Sequence, residues 1–284
     1  MDSSQIANVD RCLSVLEALA DASGGIALGA LARQLQLPKS ATHRLLQALA
    51  RRGYVEQDPL TQDYDLSLKM ATLGFRFLDV RRLPDIAQRS IDRLAAASGE
   101  YCRLAMVDGD GLAWVACAQG AVQGLRYDPP MGREVVLHAT ATGKAWLATL
   151  PEGDALRIIC TRGFVTPPGF GTQVIRDIDT LRRHLDATRL RGYAVAVDEG
   201  EPGTVAVAAC FRTADQPDAP VGGTVSVAGP GVRLDAARID AIAPLLLQTT
   251  RELALHWPLR ARQVRPRADN GAVGAAVNAA TAAA

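Results

Sequence analysis

The sequence predicts an α+β protein with two domains, and two observations support this prediction. A length of 284 residues allows two domains of ordinary size, each with its own core. Up to Gly53 the apolar residues recur at helical spacing, whereas from Tyr101 onward short β-runs alternate with helices and turn signals. We therefore expect a largely helical N-terminal domain and a C-terminal domain built on a sheet.

The N-terminal stretch predicts three helices followed by a β-hairpin. Apolar spacing indicates a first helix over residues 9–21 and a second over residues 29–36. After a tight turn, a third helix begins at Pro38, whose missing N–H is no loss in a first turn. Residues 54–57 and 64–66 are extended and flank a turn, so they predict a β-hairpin wing. This order of elements predicts a winged helix-turn-helix.

The third predicted helix carries polar side chains that can reach DNA phosphates and base edges. From Ala22 to Val55 the sequence contains no Asp or Glu, so the cations of this stretch form a basic surface suited to a polyanion. An ordinary helical hairpin with solvated cations is the alternative interpretation. The candidate DNA-contacting residues, on or beside the outer face of this helix and at its end, are Lys39, Ser40, Thr42, His43, Arg44, Gln47, Arg51 and Arg52.

Residues 67–82 predict a helix with apolar side chains on more than one side. Such a helix needs a partner. The pattern fits equally well the same helix of a second subunit and simple packing onto its own domain. Pro84 then opens a further helix over residues 85–98.

The rest of the chain predicts six strands, four helices and a tail. The strands are expected at residues 101–107, 112–118, 124–128, 193–197, 205–212 and 221–228. The last three are nearly continuous in valine and alanine, which predicts burial of both faces. The helices are expected at residues 142–150, 154–162, 176–191 and 235–257, the last one capped by Asp235 and kinked at Pro244. Residues 261–284 are basic and then alanine-rich, which predicts a disordered tail.

Composition limits the class of protein. A hydrophobic content of 48% and a charged content of 21% fit a soluble globular protein. No apolar run reaches the roughly 18 residues of a membrane span, and the N-terminus has no signal-peptide pattern, so we expect a cytoplasmic protein without a membrane partner. The five cysteines predict reduced thiols in apolar surroundings, and the four histidines show no metal-ligand spacing. We therefore expect no metal and no cofactor.

Three loops are expected to gather ligand-binding residues, at positions 127–142, 198–204 and 226–231. Each adjoins a strand, where loops held by a rigid sheet commonly form a pocket. Thr140 and Thr142 precede a helix whose free N–H groups favour a carboxylate or another anion.

Enzymatic interpretations of the same region are weak. Gly143-Lys144 lacks the earlier glycine of a phosphate-binding loop and the Ser or Thr that would hold magnesium. Cys117, His138 and Asp198 could be proposed as a thiol catalytic set, yet nothing in their spacing implies proximity. The sequence therefore favours a ligand-binding domain over an enzyme.

Four motifs occur in order along the chain: LARQLQLPKSATHRLLQALARRGYVEQD, LHATATGKAWLATLP, RGYAVAVDEGEPGTVAVAACF and VSVAGPGVRL. Together they resemble the IclR (isocitrate lyase regulator) family of bacterial transcription factors, from about Ala7 to His256. The resemblance implies a winged helix-turn-helix, a linker helix used in dimerisation, and a GAF-like domain with a central, mostly antiparallel sheet that binds a small organic effector. It also implies dimers or tetramers on palindromic operators. The expected domain boundaries are 6–68, 69–83 and 84–260, followed by the tail.

The resemblance also implies effector contacts, residue by residue. Family members commonly have an acidic residue where Ala196 stands and a second Ser where Ala228 stands, which implies a larger or more apolar ligand here. They usually have Gly at the position of Gln36, where a left-handed backbone costs other residues about 1 kcal/mol. Carried over by position, the effector contacts are Tyr127, Val135, Ala141, Thr142, Ala196, Thr204, Ala206, Ser226 and Ala228.

The expected function is that of a DNA-binding transcriptional regulator. Its C-terminal domain would bind a small organic effector, a carboxylate or an aromatic acid, that modulates operator binding. One alternative is a constitutive DNA-binding protein whose second domain is structural, in which case no small molecule alters operator binding. Another is a small-molecule enzyme, in which case the ligand is turned over.

Overall fold

The computed structural model describes residues 3–22, 24–80 and 83–257. The described residues form two compact units, one up to residue 80 and one from residue 83 onward. Helices and strands occur in both units, so the predicted α+β class is confirmed. Within the described residues, no helix has the length and apolar character needed to cross a membrane. The tail predicted at 261–284 lies outside the described residues.

The first unit contains three helices, a two-stranded hairpin and a fourth helix. Their bounds are α1 Ser3–Ala20, α2 Leu28–Gln34, α3 Lys39–Arg51, β1 Val55–Gln57, β2 Tyr64–Leu66 and α4 Lys69–Val80. The two strands are antiparallel, and Ile26 adds a single bridge to Tyr64. The predicted order of helices and wing is confirmed.

A small core holds the first unit together. It contains Val15 and Leu19 of α1, Leu31 of α2, Leu46 of α3 and Tyr64 of β2, all nearly inaccessible to solvent. The predicted helices are confirmed, although Val9 and Leu13, two of the residues whose apolar spacing indicates the first helix, are exposed. The buried face of α1 is instead centred on Val15, Ala18 and Leu19.

The turn between α2 and α3 contains a left-handed residue. Gln36 has φ 53°, as expected from its position, and its N–H donates to the carbonyl of Arg33. A side chain in this region of backbone space is strained, so the turn is maintained by the packing of α2 against α3.

The second unit contains a five-stranded antiparallel sheet with the strand order β4-β3-β7-β6-β5. The strands are β3 Tyr101–Asp108, β4 Gly111–Gln119, β5 Ala194–Val197, β6 Thr204–Arg212 and β7 Val221–Pro230. The helices are α5 Leu83–Ser98, α6 Ala141–Leu147, α7 Glu152–Arg162, α8 Ile178–Arg191 and α9 Ala236–His256. Asp235 caps α9 by accepting the N–H of Arg238, as predicted.

The two faces of this sheet are covered by different helices. Large apolar residues, among them Leu104, Phe211 and Val225, point to one face and pack with α5 and α9. Because side chains alternate along a strand, their neighbours in sequence point to the other face. There, α6 packs on β5, β6 and β7, mostly through alanines. This second face lies beside the expected ligand-binding loops.

Three sequence predictions for the second unit are wrong, two of them only in part. No strand forms at 124–128, because Gly124 has φ 78° and two prolines follow Asp128. Burial of both faces holds for β7 but only in part for β5 and β6, where Val197 is half-exposed. Of the cysteines, which are all free thiols, Cys160 is exposed rather than enclosed in apolar surroundings.

Candidate functional site

The outward face of α3 is polar and basic. The exposed residues of α3 and its end that the sequence proposed for DNA contact are Lys39, Ser40, Arg44, Gln47, Arg51 and Arg52. His43 is half-buried, and its Nε2 lies 3.4 Å from Nε2 of Gln47, one turn further along the helix. The structure thus brings seven of the eight proposed residues to the accessible side or the end of one helix.

Thr42 is the exception, because it is fully buried. Its hydroxyl donates to the carbonyl oxygen of Pro38 at 3.2 Å. The prediction that Thr42 lies on or beside the outer face is wrong. Thr42 precedes Leu46 by four residues, so it shares the inward stripe of α3 with this core leucine.

The cations of α3 are not neutralised by neighbouring carboxylates. None of the ion pairs formed between described residues includes a side chain from residues 24–80. A solvated helix face normally mixes both signs of charge, whereas this face keeps one sign. Unpaired cations on an exposed helix suit the phosphate backbone of DNA.

The wing beside α3 has the opposite charge. Residues 55–66 contain four acidic residues and no cation. At the tip, Oδ1 of Asp58 accepts the N–H groups of Thr61 and Leu60, and these bonds hold the pKa of Asp58 below its ordinary value. The tip is therefore an ordered, anionic turn, a poor surface for direct phosphate contact.

The start of α4 is tied to the end of α3. Nζ of Lys69 donates to the carbonyl of Arg52 at 2.5 Å and lies over the ring of Tyr54, 4.5 Å from its centre. The hydroxyl of Ser67 donates to the carbonyl of Gly53. These contacts fix the direction in which α4 leaves the helix-turn-helix.

In the second unit, three of the proposed effector contacts form one row across the sheet. The strand register aligns Ala196 of β5, Ala206 of β6 and Ala228 of β7 side by side. Ala141 of α6 packs with Ala196 in the same cluster. The row continues into Tyr101 of β3, which pairs with Ala228. Small side chains thus form a flat surface that ends at a phenol ring.

Tyr127 lies against the end of this row. Its ring centre is 6.0 Å from that of Tyr101, in an edge-to-face arrangement. Gln119 donates to the carbonyl of Tyr127 at 2.9 Å and so holds the loop that carries it. Burial raises the pKa of Tyr127 to about 12, although the positive charge of Arg103 opposes this shift. A cleft of about 440 Å³ opens beside Tyr127 and is also lined by Glu201.

The other proposed effector contacts are placed less uniformly. Ser226 lies in the neighbouring row, opposite Arg103. Thr204 lies at the start of β6, and its hydroxyl donates to the carbonyl of Glu201. Val135 packs in a separate apolar cluster with Trp146, so it is not brought into the alanine row.

The start of α6 is enclosed. Thr142 is 2% exposed. The hydroxyl of Thr140 already accepts the N–H of Gly143, and α6 has only seven residues. The predicted set of free N–H groups is therefore reduced by this cap.

Arg103 and Trp114 are polar and aromatic groups of this face that the sequence prediction missed. The guanidinium carbon of Arg103 lies 3.9 Å from the centre of the Trp114 ring and 5.7 Å from that of Tyr101. The sequence did contain a signal for Arg103, because it is the only cation in this strand. Since side chains alternate along a strand, Arg103 is expected on the same face as Tyr101, two residues earlier.

The residues considered for enzymatic roles have structural partners instead. A Cβ at Gly143 would lie 2.3 Å from the backbone of Leu137, so glycine is required there for close packing, and the neighbouring Lys144 is fully buried. The His138 ring packs edge-to-face against that of Phe164, with ring centres 5.1 Å apart. Oδ1 of Asp198 accepts the N–H of Gly203. Neither the phosphate-loop nor the thiol-catalysis interpretation gains a geometric argument.

The first unit is a winged helix-turn-helix with a basic recognition helix, and an α+β unit follows it. This combination is typical of two-domain helix-turn-helix transcriptional regulators. Residues 8–59 match the model of the IclR helix-turn-helix domain, and residues 75–255 match that of the bacterial transcriptional regulator IclR C-terminal domain. The chain therefore belongs to the IclR family of bacterial transcriptional regulators, and DNA is its partner.

Relatives match over most of their length. The chain is 28% identical to the transcriptional repressor IclR of Escherichia coli over 255 residues, covering 89% of this chain and 90% of that protein. It is 31% identical to the regulator BhcR of Paracoccus denitrificans over 254 residues, covering 89% and 88%.

Solved structures share the fold. An IclR transcriptional regulator from Alicyclobacillus acidocaldarius matches with a TM-score of 0.74 at 22% identity, covering 90% of this chain and 99% of that one. An IclR homologue from Microbacterium hydrocarbonoxydans, solved in complex with 4-hydroxybenzoate, matches with a TM-score of 0.69 at 20% identity, covering 87% and 97%.

Proposed function

We propose that this regulator binds a palindromic operator as a homodimer or homotetramer, and that a small organic acid bound by its second unit modulates operator affinity. The proposed domains are the winged helix-turn-helix at 6–68, the linker helix at 69–83 and the effector-binding domain at 84–260. The observation that carries the DNA-binding part is the exposed face of α3, whose cations have no described counter-charge.

In this proposal, α3 enters the major groove and Arg44 contacts a base or a phosphate. Arg44 lies on the exposed face in the middle of α3, where a recognition helix presents its side chains to base edges. Lys39 and Ser40 stand at the helix start, and Arg51 and Arg52 at its end, where they suit the flanking phosphates.

The α3 face is tested with operator DNA selected by the wild-type protein from random fragments. Arg44→Ala should weaken binding by about 1–3 kcal/mol if Arg44 contacts a base. Arg11→Ala is the matched control, because Arg11 is an exposed arginine of the same unit that lies on α1. Equal affinities for Arg44→Ala and the wild type in a fluorescence-anisotropy titration, with both proteins folded, would contradict the assignment of α3.

The effector part rests on the flat alanine row, the tyrosines at its end and the adjoining cleft. This surface suits a small, partly apolar ligand, and a structural neighbour in the same family was solved with 4-hydroxybenzoate. An effector that binds one conformation of the second unit more tightly increases the population of that conformation. In a dimer, this change would alter the spacing of the two recognition helices.

Coupling between ligand and DNA is tested by titrating small organic acids, 4-hydroxybenzoate included, against operator affinity. The proposal expects at least one acid to change the affinity at saturation. A ligand that binds the protein yet leaves operator affinity unchanged would contradict the coupling, because it has no preference between states. Recovery of the ligand chemically unchanged separates a regulator from an enzyme.

A further inference from the structure

Arg103 is a half-buried cation without a described counter-charge. It lies in the middle of the sheet face that carries the alanine row, and its register partners are Cys117 of β4 and Ser226 of β7, both neutral. Its Nε is buried and has no hydrogen-bond partner among the described residues. None of the ion pairs between described residues includes Arg103.

Such an arrangement needs an anion. A guanidinium keeps its proton at any physiological pH, so burial cannot neutralise it as it can a lysine. A buried N–H without an acceptor costs free energy unless a partner compensates it, and a carboxylate can accept this N–H while it also meets the positive charge. The Trp114 ring covers one flat side of the guanidinium at 3.9 Å, which leaves the N–H groups at the guanidinium edge to donate.

We propose that Arg103 binds the carboxylate of the effector, and that the effector is a monocarboxylate whose apolar body lies at the Tyr101 end of the alanine row. This inference rests on the proposed effector-binding function. Nε and one Nη of an arginine match the two oxygens of a carboxylate. Tyr101, which pairs with Ala228 at the end of the alanine row, lies two residues before Arg103 on the same face of β3. A ligand held by Arg103 therefore lies beside that end of the row.

The neighbouring groups explain why one carboxylate is favoured over two. The Tyr127 hydroxyl interacts with both Arg103 and Glu201, so it links the cation of the proposed site to a carboxylate at its edge. Glu201 also places a negative charge beside the cleft. A second carboxylate on the ligand would meet this charge and lose affinity.

The test measures binding by isothermal titration calorimetry with pyruvate, hexanoate, benzoate and 4-hydroxybenzoate, and with the neutral amide of each acid. We expect at least one acid to bind the wild type and its amide to bind at least about tenfold more weakly. Arg103→Met should lower the affinity for that acid by a similar factor. Arg251→Met is the matched control, because Arg251 is an exposed arginine of α9, which packs on the other face of the sheet. This variant should bind the acid with the affinity of the wild type.

Arg103→Lys is a second variant for the case that Arg103→Met does not fold. It retains the positive charge but loses the paired N–H donors of the guanidinium. It should bind the acid more weakly than the wild type while unfolding at a similar temperature. Equal affinity of the acid for the wild type and both Arg103 variants, or equal affinity of acid and amide, overturns the inference. If none of the four acids binds the wild type, the inference is likewise overturned.

Failure of the inference and failure of the proposed function give different results. An acid that changes operator affinity equally in the wild type and Arg103→Met contradicts the role of Arg103 alone. An acid whose binding depends on Arg103 but leaves operator affinity unchanged contradicts the proposed regulation alone.

Discussion

Nζ of Lys144 lies 2.6 and 2.7 Å from the two carboxylate oxygens of Glu199, and both side chains are almost completely buried. The pair connects α6 to the loop between β5 and β6, two segments that adjoin the proposed effector site. Burial lowers the pKa of Lys144 and raises the pKa of Glu199, while their mutual attraction opposes both shifts. Nδ1 of His184 lies 3.3 Å from the same Nζ.

Removing one partner of this pair should destabilise the second unit strongly. Lys144→Met leaves the Glu199 carboxylate buried without its counter-charge, and we expect a loss of about 3–5 kcal/mol in the free energy of unfolding. The double variant Lys144→Met, Glu199→Leu should recover much of that loss, because no buried charge remains. Urea unfolding of the three proteins checks this, and a single-variant loss below about 1 kcal/mol would contradict the expected cost of an unpaired buried charge.

His138 should make stability depend on pH. Burial, aided by the charge of Arg176, lowers the pKa of His138 in the folded state. The unfolded chain therefore takes up its proton first as the pH falls below about 6.5, so the stability that neutral His138 provides is present above this pH and lost below it. The free energy of unfolding should fall between pH 7 and pH 5.

His138→Leu should flatten this decline, by up to about 1.4 kcal/mol for each pH unit in which only the unfolded state is protonated. His184, whose pKa is also lowered by burial and then by Lys144, contributes a further part in both proteins. The exposed His256 provides the control, because His256→Leu removes a histidine at the surface. Identical slopes for His138→Leu and the wild type would refute the assignment.

Local patterns predicted most elements because their causes are local. The apolar stripe of α3, the turn at Asp58 and the cap at Asp235 each depend on residues within four positions. Thr42 was misplaced because hydropathy cannot decide which edge of a helix a small polar residue occupies. No strand forms at 124–128, because Gly124 has a positive φ and two prolines follow Asp128.

The interior of the site was less predictable for a different reason. Lys144 and Glu199 are 55 positions apart, and Arg103 meets Ser226 only through the register of β3 and β7. No periodicity in one segment reveals a partner in another. By contrast, the positions carried over from the family resemblance place three alanines in one row, because strand register is a property of the fold.

The turn before α3 offers a stabilising substitution. Gln36 has φ 53°, a conformation that glycine adopts without strain. Gln36→Gly should therefore raise the stability of the first unit by about 0.5–1 kcal/mol, although the greater freedom of the unfolded chain offsets part of the gain. Gln34→Gly is the control: Gln34 is the last residue of α2 and has no positive φ, so glycine relieves no strain there and should not stabilise. Calorimetry that finds both variants less stable than the wild type would contradict this explanation.

The acidic wing should respond to a reversal of charge. Asp63 lies near the hairpin tip in a segment without cations, so Asp63→Lys should strengthen non-specific DNA binding. If the new cation contacts a phosphate, the slope of log affinity against log salt should steepen by roughly one unit. Asp215→Lys makes the same charge change at an exposed position of the second unit. An unchanged slope for Asp63→Lys would place the wing away from the DNA backbone.

The exposed apolar side chains of α4 should be covered by a second copy of the chain. Every described side chain from Leu68 to Phe77 is exposed, and Phe75 retains 71% of its accessible surface. The alternative that these side chains pack onto their own unit does not match this exposure. Contiguous exposed apolar surface on one helix is typical of a protein interface, and burial of a Phe side chain contributes roughly 1.5–3 kcal/mol.

Phe75→Glu should therefore weaken self-association, because it removes this apolar contribution and places a charge in the interface. Sedimentation velocity should give a dimer or tetramer for the wild type and a smaller species for Phe75→Glu at the same concentration. Leu190→Glu is the control, since it introduces the same charge at an exposed apolar position of α8 in the second unit. The dissociated variant should also lose more affinity for a palindromic site than for a half-site. The reason is that the two recognition helices of one dimer bind the two halves of a palindrome at the same time. An unchanged assembly for Phe75→Glu would exclude α4 as the interface.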